Sequence, residues 1–328
     1  MPALPSSTRV RIGQRFPRTK WRSNAPPRTA AMHNLLVPFV GGLGQGVLLF
    51  LIASGLTLIY GVMRVLNFSH GGFFMLGAYF TYTLARGHVL PAALLVLVVV
   101  AAGLLTALVG AVTERGVFRR LYALPEISSL LATFALLLVF EGLGRLLWGI
   151  APLSQPQSPA FLGELHLGAV TLPAYDVFLY AVGTVVVVGL EWLVEKTEFG
   201  RMVRATAADR QMAALLGIDV ERIFLAMFSL GIFLAGLGGG LVSPLIGLTP
   251  ELAVSFIIQA FAIVIVGGLG SIRGTLLAAI FFGLLNAYLV ALRPELADFS
   301  LYIGMGLFLI FRPQGIMGRA GAPGELAA

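Results

Sequence analysis

The chain reads as an all-α integral membrane protein, a polytopic bundle of about 8–9 transmembrane helices, and three observations predict this. Of its 328 residues, 58% are hydrophobic and only 11% are charged, whereas soluble domains carry about 25% charged residues. The mean hydropathy is +0.93. Apolar runs follow one another with no polar block long enough to fold separately, so residues 32–319 are expected to form a single transmembrane domain.

Residues 1–31 precede the bundle and are expected to be a disordered basic tail. Arg9, Arg11, Arg15, Arg18, Lys20, Arg22 and Arg28 lie there without an acid, and Pro2, Pro5, Pro17, Pro26 and Pro27 spoil an amphipathic helix. The tail has no apolar run to serve as a signal-peptide core. From Ala31 onward 15 basic residues face 15 acidic ones. The net charge of +7 and pI near 10.1 therefore describe a tail and not a basic fold, which argues against a nucleic-acid partner. The absence of cysteine excludes disulfides and thiolate metal sites, and His33, His70, His88 and His166 lack metal-ligand spacing. No metal or cofactor is expected.

Stretches able to hold about 20 helical residues run near 35–61, 65–85, 89–112, 126–149, 173–194, 223–246, 251–270 and 272–292, with a shorter one at 297–311. Orientation follows from the connecting charges. Residues 150–172 contain no Lys or Arg. Residues 114–122 hold Arg115, Arg119 and Arg120, and residues 195–222 hold Lys196, Arg201, Arg204, Arg210 and Arg222. The two basic segments are assigned to the cytoplasm. Counting back through three crossings puts the N-terminus outside, against the charge of the tail. Either residues 1–31 are absent from the mature protein, with translation starting at Met32, or one of the first two stretches does not cross fully. Counting forward places Arg312, Arg319 and the short tail 320–328 in the cytoplasm.

Interrupted helices are expected near residues 61–77 and 266–274. In the first, Arg64, Asn67, Ser69, His70 and the Gly71-Gly72 pair break the apolar pattern; in the second, Val266-Gly267-Gly268-Leu269-Gly270-Ser271 does so. Unwound backbone at membrane depth is tolerated only beside protein or a water-filled cavity. Asn67, Phe68, His70, Gly71, Gly268, Gly270 and Ser271 are thus candidates for a translocation pathway. The alternative reading gives His70 a carbonyl partner and the glycines close helix packing. Glu141 and Arg145 stand four apart on the fourth span and can pair on one helix face at the outer end.

The 195–222 loop is the one sizeable charged loop. Met202, Ala205, Met212, Ala213 and Leu216 recur at helical spacing, with Asp209 near the middle and Gly217 as a helix stop. Such a helix-turn-helix stripe must bury itself against the span ends or a partner.

The chain resembles the ABC-transporter permeases of the branched-chain amino acid (Liv-type) importer family from about Leu35 to Arg319. The resemblance rests on Gly55-Leu56-Thr57-Leu58-Ile59-Tyr60-Gly61, on Leu66-Asn67-Phe68-Ser69-His70-Gly71, and on Glu114-Arg115 followed by Arg119. It rests further on Gly200-Arg201, Arg204-Ala205, Asp209, Met212-Ala213, Leu215-Leu216-Gly217-Ile218, Gly267-Gly268-Leu269-Gly270-Ser271 and the closing run Arg312 to Arg319. The chain departs from that pattern with Ala208 before Asp209, with Arg273 after Gly270-Ser271-Ile272, and with its basic tail. The resemblance implies that the 195–222 loop docks onto a cytoplasmic ATPase, through Gly200, Arg201, Arg204, Ala205, Asp209, Met212, Ala213 and Gly217. It implies two ATPase subunits, a second related permease and an extracytoplasmic binding protein in a prokaryotic inner membrane. Relatives of this kind also move urea, short amides and other amino acids.

Lys20 and Lys196, the only lysines, stand in no phosphate-binding Gly-rich loop, so ATP must be hydrolysed elsewhere. No paired carboxylates, His-Glu-x-x-His or Gly-x-Ser-x-Gly suggest an enzyme. A secondary transporter driven by an ion gradient is the rival reading. Glu141 is nearly the only intramembrane carboxylate available to it, and it leaves the loop stripe without a purpose.

Overall fold

A computed structural model describes residues 28–85, 88–122, 125–155, 163–167, 170–312 and 314–317. The basic segment 1–27, Arg319 and the tail 320–328 lie outside the described residues. Among those described, six helices are long and apolar enough to cross a membrane, and three shorter ones complete the passes.

The first helix, α1 (Arg28–Met63), is the axis of the bundle, with most of its apolar length buried inside protein. It starts at the end of the molecule opposite the 197–219 loop: Tyr180 donates to the Val40 carbonyl, and Tyr175 donates to the Leu241 carbonyl at 2.6 Å on the same side. It finishes at the loop end, where Arg210 reaches the Met63 carbonyl. Residues 64–69 then turn back without helical structure, and α2 (His70–Ala85) completes the return.

The third pass is α3 (Ala92–Thr113), continued by a π-helical turn at Glu114–Phe118 and the single turn α4 (Arg119–Leu121). Helix α5 (Glu126–Trp148) returns to the opposite face. There the structure adds what an all-α reading omits, a small antiparallel hairpin of β1 (Glu164–Leu167) and β2 (Val170–Pro173), with Leu167 opposite Val170. Its four-residue strands are too short to show a period-2 pattern in sequence. Helix α6 (Ala174–Lys196) leads into the loop helices α7 (Glu198–Ala208) and α8 (Arg210–Leu215). Helix α9 (Val220–Val242) crosses back, α10 (Leu252–Gly267) and α11 (Ile272–Leu292) form a helical hairpin, and α12 (Pro294–Ala297) precedes α13 (Ser300–Phe311).

Helices α1, α2 and α9 make the buried centre, while α3, α5, α6 and α11 turn most of their surface outward. In lipid such contacts depend on close backbone approach, not on expulsion of water. Gly77 of α2 lies so close to the Gly236 backbone of α9 that it has no room for a Cβ, and Gly283 of α11 has none against the backbone of Gly42 and Gly46 of α1.

Two expected spans are shorter than their apolar runs. The run 251–270 is helical only to Gly267, because Gly268 and Gly270 take φ of +100° and +83°. The run 223–246 stops being helical at Val242. The α13 helix has 12 residues, yet the chain after it reaches the loop end: Ile316 donates its N–H to the Val266 carbonyl at 2.7 Å. The nine helical passes among the described residues leave the start of α1 and the end of α13 on opposite faces. The second stretch is broken but crosses, so incomplete crossing does not resolve the charge conflict at the N-terminus.

Candidate functional site

The break between α1 and α2 begins at Arg64, whose φ of +54° is the one positive value at a non-glycine residue among the described residues. A side chain pays a steric cost in this region, and here that conformation turns the chain sharply off the axis of α1. From there residues 65–67 follow no helix or strand. Thr133 of α5 clamps it, donating to the Leu66 carbonyl at 3.3 Å and accepting from the Phe68 N–H at 3.3 Å. The Phe68 ring sits between Phe261 of α10, 4.7 Å away in a tilted arrangement, and Phe134 of α5, 6.0 Å away edge-on.

Arg64 is exposed, and the polar residues beyond it turn inward. Ser69 donates to Asn67 Oδ1 at 2.6 Å, and His70 Nε2 lies 2.9 Å from the Ile52 carbonyl, near the middle of α1. This contact sets the depth of the break: α2 begins halfway across the bundle. Asn67, Ser69 and His70 are fully buried, and Asn67 Nδ2 and His70 Nδ1 have no hydrogen-bond partner among the described residues. Gly71 lies against the Ala253 carbonyl and Ile257 of α10, where no Cβ fits.

The second interruption is of another kind. Residues 268–271 make a tight turn at the loop end, with Gly270 beside Gly61 and Gly268 beside Gly315. Ser271 caps α11 by accepting from the Gly274 N–H at 3.2 Å. The structure therefore gathers Asn67, Phe68, His70 and Gly71 at mid-depth and Gly268, Gly270 and Ser271 at the rim. Arg273, one departure from the family pattern, pairs with Glu191 at 2.7 Å and Glu195 at 3.0 Å on α6.

Below the break lies a cavity of about 240 Å³, lined by Tyr60, Arg64, Val65, Leu66, Leu130 and Arg210 among others. It is bordered by residues adjacent to the predicted ones, and none of the seven pathway candidates lines it.

The loop helices follow their own signals. Thr197 caps α7 through the Gly200 N–H at 3.0 Å, and Gly200 sits against the carbonyls of Leu193 and Val194. Arg204 donates to the Val194 carbonyl, and Arg201 pairs with Glu198 at 3.0 Å. Asp209 caps α8, accepting from the N–H groups of Gln211 at 2.8 Å and Met212 at 3.0 Å. Gly217, at φ +84°, ends it. Val203, Thr206 and Ala213 are buried and Ala205 half-buried, while Ala208 is exposed. The expected stripe thus divides: Ala213 is buried, whereas Met202, Met212 and Leu216 stand 37%, 54% and 73% exposed, joined by Leu215, outside the stripe, at 82%.

At the opposite end Arg145 pairs with Glu141 on α5 and with Glu251 at 3.3 Å. Hydrogen bonds from its own backbone N–H and from Thr249, with Arg145 adding, hold the Glu251 carboxyl below the usual range. Trp148 stacks on Tyr79 at 4.8 Å and donates to Thr83 at 2.8 Å, which fixes the outer end of α5 against α2. The structure adds Thr133, Tyr122 and Phe224 to the residues singled out from sequence, and gives Arg210, named there only for its charge, a place against α1 and α9. Each acts through a contact with a distant segment, and nothing in its local pattern marks it.

The fold is a multi-pass membrane bundle with a break between its first two helices, and the comparisons give its class. Residues 39–311 match the family model described as the permease component of the branched-chain amino acid transport system, and the chain belongs to that family. It is a transport component and not an enzyme. Over 308 residues it is 29% identical to the high-affinity branched-chain amino acid transport system permease protein BraD of Pseudomonas aeruginosa, covering 88% of this chain and 97% of the relative. It is 27% identical over 293 residues to LivH of Escherichia coli K12, a permease of the same description, covering 85% and 94%. Over 188 residues, 53% of this chain and 51% of the relative, it is 31% identical to the autoinducer 2 import system permease protein LsrC of Escherichia coli. No solved structure matches the chain.

Proposed function

We propose that the chain is the transmembrane permease subunit of an ATP-driven importer for branched-chain amino acids in a prokaryotic inner membrane. In this reading it works with two cytoplasmic ATPase subunits, a second related permease and an extracytoplasmic binding protein. The observation that carries it is the exposed apolar face of Met212, Leu215 and Leu216, on a loop otherwise anchored by caps and buried residues. A patch of that kind, rimmed by charge, marks a protein interface. Family membership supports the substrate class. The apolar cavity walls of Val65, Leu66 and Leu130 suit an aliphatic side chain. Closure of the ATPase pair would push the loop, and substrate moves because the two states of the bundle differ in affinity for it.

The test is purification of a C-terminally tagged chain from gently solubilised native membranes. ATPase subunits carrying phosphate-binding loops and a second permease are expected with the wild type. Met212→Asp is expected to insert normally but to lose the ATPases and all uptake. Recovery of the chain alone, in a detergent that preserves other membrane complexes, or unchanged uptake by Met212→Asp, would overturn the reading in favour of gradient-driven transport.

A further inference from the structure

Helix α1 ends at Met63 because Arg64 leaves helical space, and its last carbonyls lose their intrahelical partners. The Met63 carbonyl is taken by Arg210 Nη2 at 2.6 Å, a bond that spans 147 positions of sequence. A cation at this place also meets the negative end of the helix dipole. The same guanidinium lies over the Phe224 ring of α9, 5.2 Å from its centroid. Phe224 is held in turn by Tyr122, edge-on at 5.1 Å, and Tyr122 donates to Glu114 Oε1 at 3.0 Å and approaches Met63 Sδ at 3.6 Å. Glu114 opens the π-helical turn after α3 and is 3% exposed. Turns of this kind often mark functional positions in helices.

Arg210 is also the first residue of α8, directly after its Asp209 cap. The six residues of α8 span about 9 Å. One side of this short rigid piece grips the end of α1 through Arg210 and rests on buried Ala213. Its other side presents Met212 and Leu215 to the outside. Arg210 and the end of α1 also wall the cavity under the break.

We propose that Arg210 is the positioning residue that transmits movement of the 197–219 loop to the interrupted α1–α2 pair. This rests on the loop being the ATPase dock. A push on α8 carries the guanidinium, and with it the Met63 carbonyl from which residues 64–69 depart. The loop and the break then move as one body.

The assembled importer in proteoliposomes tests this with two readouts, ATP hydrolysis against leucine uptake, and a spin label on the Val65→Cys variant. The chain has no cysteine of its own, so the label is unique within it. Arg210→Ala is expected to keep the ATPase subunits and to hydrolyse ATP, while leucine moved per ATP falls on the order of tenfold, within the range of site-to-site coupling. The label is expected to shift on addition of ATP and vanadate in the Val65→Cys complex and to stay still when Arg210→Ala is added. Arg210→Lys keeps a charged donor but not the flat stacking group, so it is expected to recover part of both. An unchanged uptake-to-hydrolysis ratio, or a label that still shifts, would overturn the proposal. Failure of both Arg210 variants to assemble would overturn it by giving Arg210 a folding role. Failure of the docking reading shows separately, as retention of the ATPases by Leu215→Asp.

Discussion

The two interruptions of the bundle, residues 64–69 and 268–271, look alike as strings of glycine and polar residues but hold opposite places. The first climbs from the loop end to mid-depth, with Asn67, Ser69 and His70 buried and Thr133 clamping its backbone. The second is a rim turn that Gly268 and Gly270 make by taking positive φ and that Ser271 closes as a helix cap. Unpaired backbone inside a membrane needs partners from other helices, whereas a turn at the surface is satisfied locally or by water. Tolerance to substitution should therefore differ sharply between them.

The largest effect is expected at Gly71. A Cβ there meets the Ala253 carbonyl and Ile257, so Gly71→Ala must push α2 from α10. The expected cost lies at the upper end of the ~1–3 kcal/mol of overpacking, read as a lost or broadened melting transition in detergent. A near-wild-type melt would dissolve the distinction between the two regions. Gly270→Ala tests the other side. It pays for φ +83° and for a Cβ 3.3 Å from the Gly61 Cα, about 1–2 kcal/mol by the left-handed penalty, and uptake by the surviving protein should stay at the wild-type rate. Uptake that collapses while the fold persists would place this turn in the pathway. Smallest is Ser271→Ala, which removes the α11 cap for about 1 kcal/mol. It should lower the melting temperature by a few degrees and leave transport intact.

How much of this was legible in sequence depends on the range of the interaction. The end of α8 was readable because Gly217 acts on backbone groups within three residues of itself, whereas the caps that Thr197 and Asp209 make were seen only in the structure. The hydrophobic spans were readable because lipid imposes the same requirement on every helix that crosses it. The depth of the break was not, since it is set by His70 meeting Ile52 across 18 positions. The inner and outer sides of the loop stripe were also hidden: Ala213 and Met212 are neighbours in sequence, one buried and one exposed.

The sequence by itself determined a membrane bundle, the helix stop at Gly217 and its family, because composition and local chain breaks are properties of single segments. Tertiary structure alone decided which interruption reaches mid-membrane, which loop residues face outward, and that Arg210 closes the end of α1. Those are relations between helices far apart in the chain, settled by packing once all of them are in place.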